Sequence, residues 1–160
     1  MLVSISFYLG SNMIWGQSRE NQILLWRKWR QQLSDETTVA LTDIQKFWFS
    51  APTAKISKLS DNQNTWPDPW RLFTNISYCE LSRALGMFYS IALHESLQKL
   101  NPTMQIYYDA VGQRMSLILL ESTNQILNFH EHRIPLATEL NSEYQLINSV
   151  NYTTFEFLRQ

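Results

Sequence analysis

The stretch "NTWPDPWRLFTNISYCELSRALGMFYSIALHESLQKLNP", residues 64–102, constrains the fold more than any other. Pro67 and Pro69 each fix φ and remove a backbone donor, so no helix can begin before Pro69. Asp68 is placed to cap a short helix with Pro69 in its first turn, and Trp70, Leu72 and Phe73 are expected to pack inward. Trp66 and Trp70, flanking the prolines, read as a rigid structural brace. "TNIS" interrupts, and Ser77 is the expected cap of a long helix over 78–100. Leu81, Ala84/Leu85, Phe88, Ile91/Ala92 and Leu97 recur near a 3.6-residue period, and Asn101-Pro102 stops the run.

The period then changes. "MQIYYDA", "RMSLILLES" and "NQILNFHEH" are short runs rich in Ile, Leu and Tyr, separated by "DAVGQR" and "STN". They read as an antiparallel meander of three strands, with a further pair around "YQLINSV" and "TTFEFL". Helices followed by a meander predict an α+β fold, with N-terminal helices and one long helix packed on a small antiparallel sheet.

Upstream, residues 2–9 read as a strand or arm, and Ser18 caps an expected helix over 19–33. That helix carries Trp26 and Trp29 beside the basic residues Arg27, Lys28 and Arg30, a mixture common in interface anchors. The expectation is an interaction arm; the competing one packs Trp26 and Trp29 onto the chain's own helix at 78–100. "SDETT" at 34–38 reads as a loop, and Thr42 as the cap of a short helix ended by Pro52. Phe47, Trp48 and Phe49 are consecutive and cannot all face one way, so at least one should meet another element or chain. This gives residues 1–41 as an N-terminal arm and helix, and 42–160 as the α+β domain.

A chain of 160 residues is long enough to bury a core without disulfides or metals. Thirteen basic and 14 acidic residues leave a formal charge of −1, which argues against direct nucleic-acid binding. Charged residues make up 17%, against about 25% in ordinary domains, while six Trp are present. Sparse charge with many rings suggests surface covered by a protein partner. One cysteine permits no internal disulfide and fits a reducing compartment. The N-terminus lacks the basic start of a signal peptide, and no run reaches the roughly 18 apolar residues of a membrane span.

Cys79 is the one candidate nucleophile. A thiol at a helix N-terminus is activated by the N–H groups and dipole there. The tryptophan–proline lead-in, the Cys opening a long helix, and the following "RMSLILL" and "QILNF" runs resemble the core of the bacterial transglutaminase-like cysteine peptidase superfamily over residues 66–130. That resemblance implies a His on the second following strand and an Asp on the third. Met115 or Ser116 stands at the first place and Asn128 at the second. Neither Met nor Ser takes a thiol proton at neutral pH. His94 is roughly 22 Å away at 1.5 Å per helical residue, beyond the reach of a dyad. His130 and His132 lie past the third strand.

"LTDIQKFWFSAP", "TWPDPWRLF", "YCELSRALGMFYSIAL" and "QILNF" together are similar to small proteins encoded among the virion genes of tailed bacteriophages, over residues 42–130. That similarity implies a structural component of the neck, tail or baseplate, made in the host cytoplasm, present in several copies and contacting other virion subunits, with no cofactor or free small-molecule substrate. Trp26, Arg27, Lys28, Trp29, Arg30, Phe47, Trp48 and Phe49 are the expected contact residues. The alternatives are a thiol peptidase or acyl transferase with Cys79 as nucleophile, and a binding module unrelated to phage. The "HEH" at 130–132 could place two imidazoles on one strand face, but a Zn or Fe site needs three or four ligands. Only Glu131, on the other face, or Glu139 is at hand.

Overall fold

Helix α1, Arg19–Gln31, starts where its sequence says it should: Ser18 Oγ accepts from Asn21 N–H at 3.3 Å. Gln22, Trp26 and Arg30 form its buried face at four-residue spacing. The computed structural model describes residues 14–57 and 59–151, so the expected strands at 2–9 and 153–158 lie outside the described residues. Helix α2, Thr37–Phe49, begins earlier than expected. Thr42 is not its cap but an interior residue whose hydroxyl donates to Thr38 O at 2.8 Å. Burial of Ala40, Leu41 and Ile44 outweighs the weak helix preference of two threonines. A boundary between residues 41 and 42 would fall inside this helix.

Helix α3, Pro69–Leu72, is capped by Asp68, whose carboxylate accepts from Arg71 N–H at 2.8 Å. Leu72 and Phe73 are buried as expected, but Trp70 is 44% exposed. With Pro69 and Leu72 taking the inward face of a four-residue helix, Trp70 points partly to solvent. The brace is Trp66, which is buried and donates from its indole to Ser60 O at 2.9 Å.

Helix α4, Glu80–Ala92, is the centre of the molecule and shorter than the sequence suggests. At its start, Tyr78 N–H donates to Pro52 O at 2.7 Å and Ala54 N–H donates to Tyr78 O at 2.9 Å. These two bonds hold Tyr78 extended, so the cap falls on Cys79 and not on Ser77. At its end, His94 Nδ1 accepts from Leu97 N–H at 3.3 Å and starts a separate 3-10 turn, Leu97–Leu100. The expected apolar stripe is buried throughout.

Strands β1 (Pro102–Tyr108), β2 (Arg114–Leu120) and β3 (Gln125–Leu127) form the expected meander. Strand β4, Gln145–Asn151, returns to pair with β1, giving the antiparallel order β3-β2-β1-β4. Gly112, at φ 81°, turns the β1–β2 hairpin, and Asp109 accepts from Val111 and Gln113 N–H there. Met104, Ile106, Ile118, Leu120, Leu127 and Val150 contribute the sheet's side of the core. The fold is α+β, with helices packed on a four-stranded antiparallel sheet. No helix among the described residues is long and apolar enough to cross a membrane.

Helices α2 and α4 meet at Gly86. A Cβ there would stand 2.4 Å from two atoms of the Trp48 ring. Gly86→Ala gains about 1 kcal/mol of helix propensity, yet the clash is with a rigid ring that has no empty space to enter. Overpacking of this kind costs about 1–3 kcal/mol or more. The expected outcome is a net fall in melting temperature of several degrees by circular dichroism; a rise would show that α2 and α4 separate easily.

Candidate functional site

The site is built where the start of α4 meets the middle of the sheet. Cys79 takes the N-cap position with φ −76° and ψ 172°, and its sulfur performs the capping normally done by an oxygen. Ser82 N–H reaches Sγ at 3.5 Å, Ser82 Oγ at 3.4 Å and Ser57 Oγ at 3.6 Å. Ser82 N–H can only donate, whereas each serine hydroxyl has one proton and a second acceptor within reach, Cys79 O at 3.0 Å for Ser82 and Leu59 O at 3.3 Å for Ser57. Burial pushes the thiol up, but hydrogen bonds from the Ser82 hydroxyl, Ser82 N–H, Ser57 and Leu81 N–H outweigh it together and hold Cys79 below the ordinary thiol range. The sulfur stands between two clefts of about 460 and 420 Å³.

The two positions where the resemblance implies His and Asp do converge here, through a different network. Ser116 N–H and Oγ both donate to the Glu80 carboxylate, at 2.8 and 2.6 Å. Asn128 Nδ2 donates to Ser116 O at 2.8 Å and to Glu80 O at 3.3 Å, while its Oδ1 accepts from Arg83 Nε at 3.2 Å. Arg114 Nε lies 3.4 Å from Glu80. The same guanidinium donates to Ser57 Oγ, Leu59 O and Asp61, and Asp61 also accepts from Tyr108 Oη. These groups pin the helix start and the segment over Cys79 to the sheet. No general base is among the hydrogen-bond partners of Cys79 in the described residues. Met115 is half-buried and paired with Tyr107 across the ladder.

The histidines are placed elsewhere. Strand β3 ends at Leu127, because Asn128 turns the chain at φ 68°. Gln45, buried on α2, then fastens the following turn: its Oε1 accepts from Asn128 N–H at 3.0 Å, and its Nε2 donates to His130 O and Arg133 O at 2.7 and 3.1 Å. His130 and His132 are therefore exposed in a turn rather than aligned on a strand face. His130 Nδ1 accepts from His132 N–H at 3.1 Å. Among the described residues no group of three or more His, Cys, Asp or Glu is arranged to hold a metal. Glu139 is paired with Arg133 at 2.8 Å.

Most of the expected contact residues are in the core, which corrects that expectation. Trp26, Phe47 and Trp48 are fully buried. Arg30 is buried with its guanidinium over the Trp26 ring at 4.1 Å and reaches Leu93 O at 3.5 Å, at the C-terminal end of α4. Burial first, and then Arg27, lowers its pKa to about 10. Trp29 stacks on Phe47 at 4.1 Å, and Phe49 lies under the Arg83 guanidinium at 4.3 Å. So Phe47 faces α1, Trp48 faces α4, and Phe49 faces Arg83, all within this chain. Arg27 and Lys28 alone of the expected set are exposed, beside Leu24 and Leu25. Residues 14–33 are part of the folded body and not an arm awaiting a partner.

The sequence reading missed Glu80, Arg83, Arg114, Ser57 and Gln45. Glu80 and Arg83 carried a signal, since they follow Cys79 at one and four residues on the same helix. Nothing local marks the site contacts of Ser57 or Gln45, which reach residues 22 to 88 positions away.

The Cys79 pKa has a testable consequence. Its folded value is depressed, so ionisation of the thiol stabilises the fold above the ordinary value of about 8.5 and that contribution is lost as pH falls through the folded value. Titration of the Cys79 Cβ resonance should show a midpoint below the ordinary one, and Ser82→Ala should raise it. An unchanged midpoint in the variant would remove the donors as the cause.

No protein-family model, curated protein or solved structure matches this chain, so the functional reading rests on its residues and their geometry.

Proposed function

We propose that this protein is a non-enzymatic structural subunit of a tailed-bacteriophage virion, in the neck, tail or baseplate, acting in several copies through protein–protein contacts. The observation that carries the reading is the commitment of the polar groups at the start of α4. Glu80, the carboxylate next to the thiol in sequence, binds Ser116 and faces Arg114, and among the described residues the thiol meets only Ser82 N–H and the hydroxyls of Ser82 and Ser57. An N–H or a serine hydroxyl can stabilise a thiolate but is not a general base at neutral pH, and among the described residues no carboxylate or imidazole hydrogen-bonds to Cys79. The virion assignment comes from the sequence motifs of residues 42–130 alone, and no matched family, protein or structure adds to it.

The transglutaminase-like resemblance takes the same form: a core of that kind whose proton-transfer positions have become structural. Partner contacts then fall to exposed surface, including Arg27 and Lys28 on α1 and the apolar residues Ile56 and Ile76 beside the Cys79 clefts. The competing reading is a thiol peptidase or acyl transferase with Cys79 as nucleophile, favoured by the depressed thiol pKa.

Two measurements separate the readings. The protein should be found at fixed stoichiometry in purified particles, and Cys79→Ser should assemble normally. Loss of assembly by a normally folded Cys79→Ser protein, or release of a peptide or acyl product that depends on Cys79, would establish the enzyme reading instead. Absence from particles would remove the virion assignment.

A further inference from the structure

The chain leaves α4 through a tight connection to β1, and one imidazole holds it. Leu93 N–H donates to Tyr89 O at 3.0 Å at the end of the helix, and His94 follows directly. His94 Nδ1 accepts from Leu97 N–H at 3.3 Å, and His94 O accepts from Gln98 N–H at 2.9 Å. Leu97 is buried in the core, and the 3-10 turn Leu97–Leu100 carries the chain to Asn101, at φ 54°. Beyond it, Leu100 O accepts from Ser122 N–H and Asn101 O accepts from Glu121 N–H, both at 3.2 Å. The turn therefore joins the C-terminal end of α4 to the connection between β2 and β3.

The Leu97 bond depends on the charge state of the ring. Nδ1 accepts only when it carries no proton, so the ring is the neutral form protonated at Nε2. A second proton would turn Nδ1 into a donor facing another donor. A cation at a helix C-terminus is ordinarily favoured by the carbonyls there. At α4 that place is taken: Arg30 reaches Leu93 O at 3.5 Å, and its guanidinium is buried against the Trp26 ring. The charged groups that act on His94 among the described residues are Arg30 from α1, Asp35 from the loop after α1, and Glu95 beside it. Burial first, and then Arg30, hold the imidazole below its ordinary value of 6.5 against the opposing pull of Asp35 and Glu95. A histidine whose folded value is depressed stabilises the fold above the ordinary value, and that contribution is lost as pH falls through the folded one.

We propose that His94 is a proton-sensitive latch on the connection between α4 and β1. Neutral, it holds Leu97 to the end of α4. Protonated, it releases the Leu97 N–H and meets the fixed charge of Arg30, so that residues 95–101 open while α4 and the sheet stay folded. The latch rests on the geometry of this connection and is independent of the virion reading.

The experiment uses the full chain and follows the His94 ring resonances and amide hydrogen exchange from about pH 7.5 to about pH 4.5, with each exchange rate divided by its intrinsic value. The His94 midpoint should fall below 6.5. The Leu97 amide should lose roughly tenfold or more in protection across that titration, while the Leu93 amide keeps its protection. His94→Asn should leave Leu97 protected at both ends of the range, because the asparagine Oδ1 stands as many bonds from the backbone as Nδ1 and gains no proton. A His94 midpoint at or above 6.5, or Leu97 protection that does not follow the titration, overturns the proposal. So does a loss that persists unchanged in His94→Asn, since Asp35 or Glu95 would then be its source. Parallel loss at Leu97 and Leu93 overturns it too, because the whole fold and not the connection would be opening. Where the variant is destabilised, the wild-type readings decide alone.

Discussion

The helical half of the fold depends on one serine hydroxyl. Ser90 Oγ accepts from the Trp26 indole at 3.1 Å and the Trp48 indole at 3.0 Å, and donates to Gly86 O at 2.8 Å. All three side chains are fully buried. A buried indole N–H without a partner is costly, so both tryptophans are tied to this single acceptor on α4. Gly86, one turn earlier, supplies the space into which the Trp48 ring settles. Three helices distant in sequence are thereby fixed on a common point. Phe73, with ring centroids 5.1 Å from Trp26 and 5.7 Å from Trp48, closes the cluster from below.

The other half of α4 is secured by ionic and polar groups instead of rings. Glu80, Ser116, Asn128, Arg83 and Arg114 form a connected set between the helix start and β2. Glu80 also sits in the first turn, where a negative charge suits the helix dipole. The functional reading grows from this arrangement. Ser116 and Asn128 orient the helix on the sheet, and Cys79 caps it.

Periodic signals were legible where burial is one-sided and local. The stripe of α4, the three-strand meander, and the caps Ser18 and Asp68 can all be read from spacing and residue type. Other features were set by distant partners. Trp26 looked like an interface anchor because nothing near it in sequence reveals Ser90, 64 residues on. Arg30 resembled part of a basic surface, yet the carbonyl end of α4 and the Trp26 face make its burial tolerable. The shift of the cap from Ser77 to Cys79 required the backbone bonds of Tyr78 to Pro52 and Ala54, which no local pattern encodes. At the site, Cys79 and the absence of His on β2 were visible, but the structural roles of Ser116 and Asn128 were not.

The central claim is that α1 belongs to the cooperative core through Ser90. Native-state hydrogen exchange of the Trp26 and Trp48 indole N–H groups in the full chain tests it most directly. Both should exchange only through global unfolding, with the same opening free energy as that from denaturant melting. Exchange of Trp26 orders of magnitude faster than Trp48 would contradict the account, showing that α1 detaches while α2 and α4 stay packed.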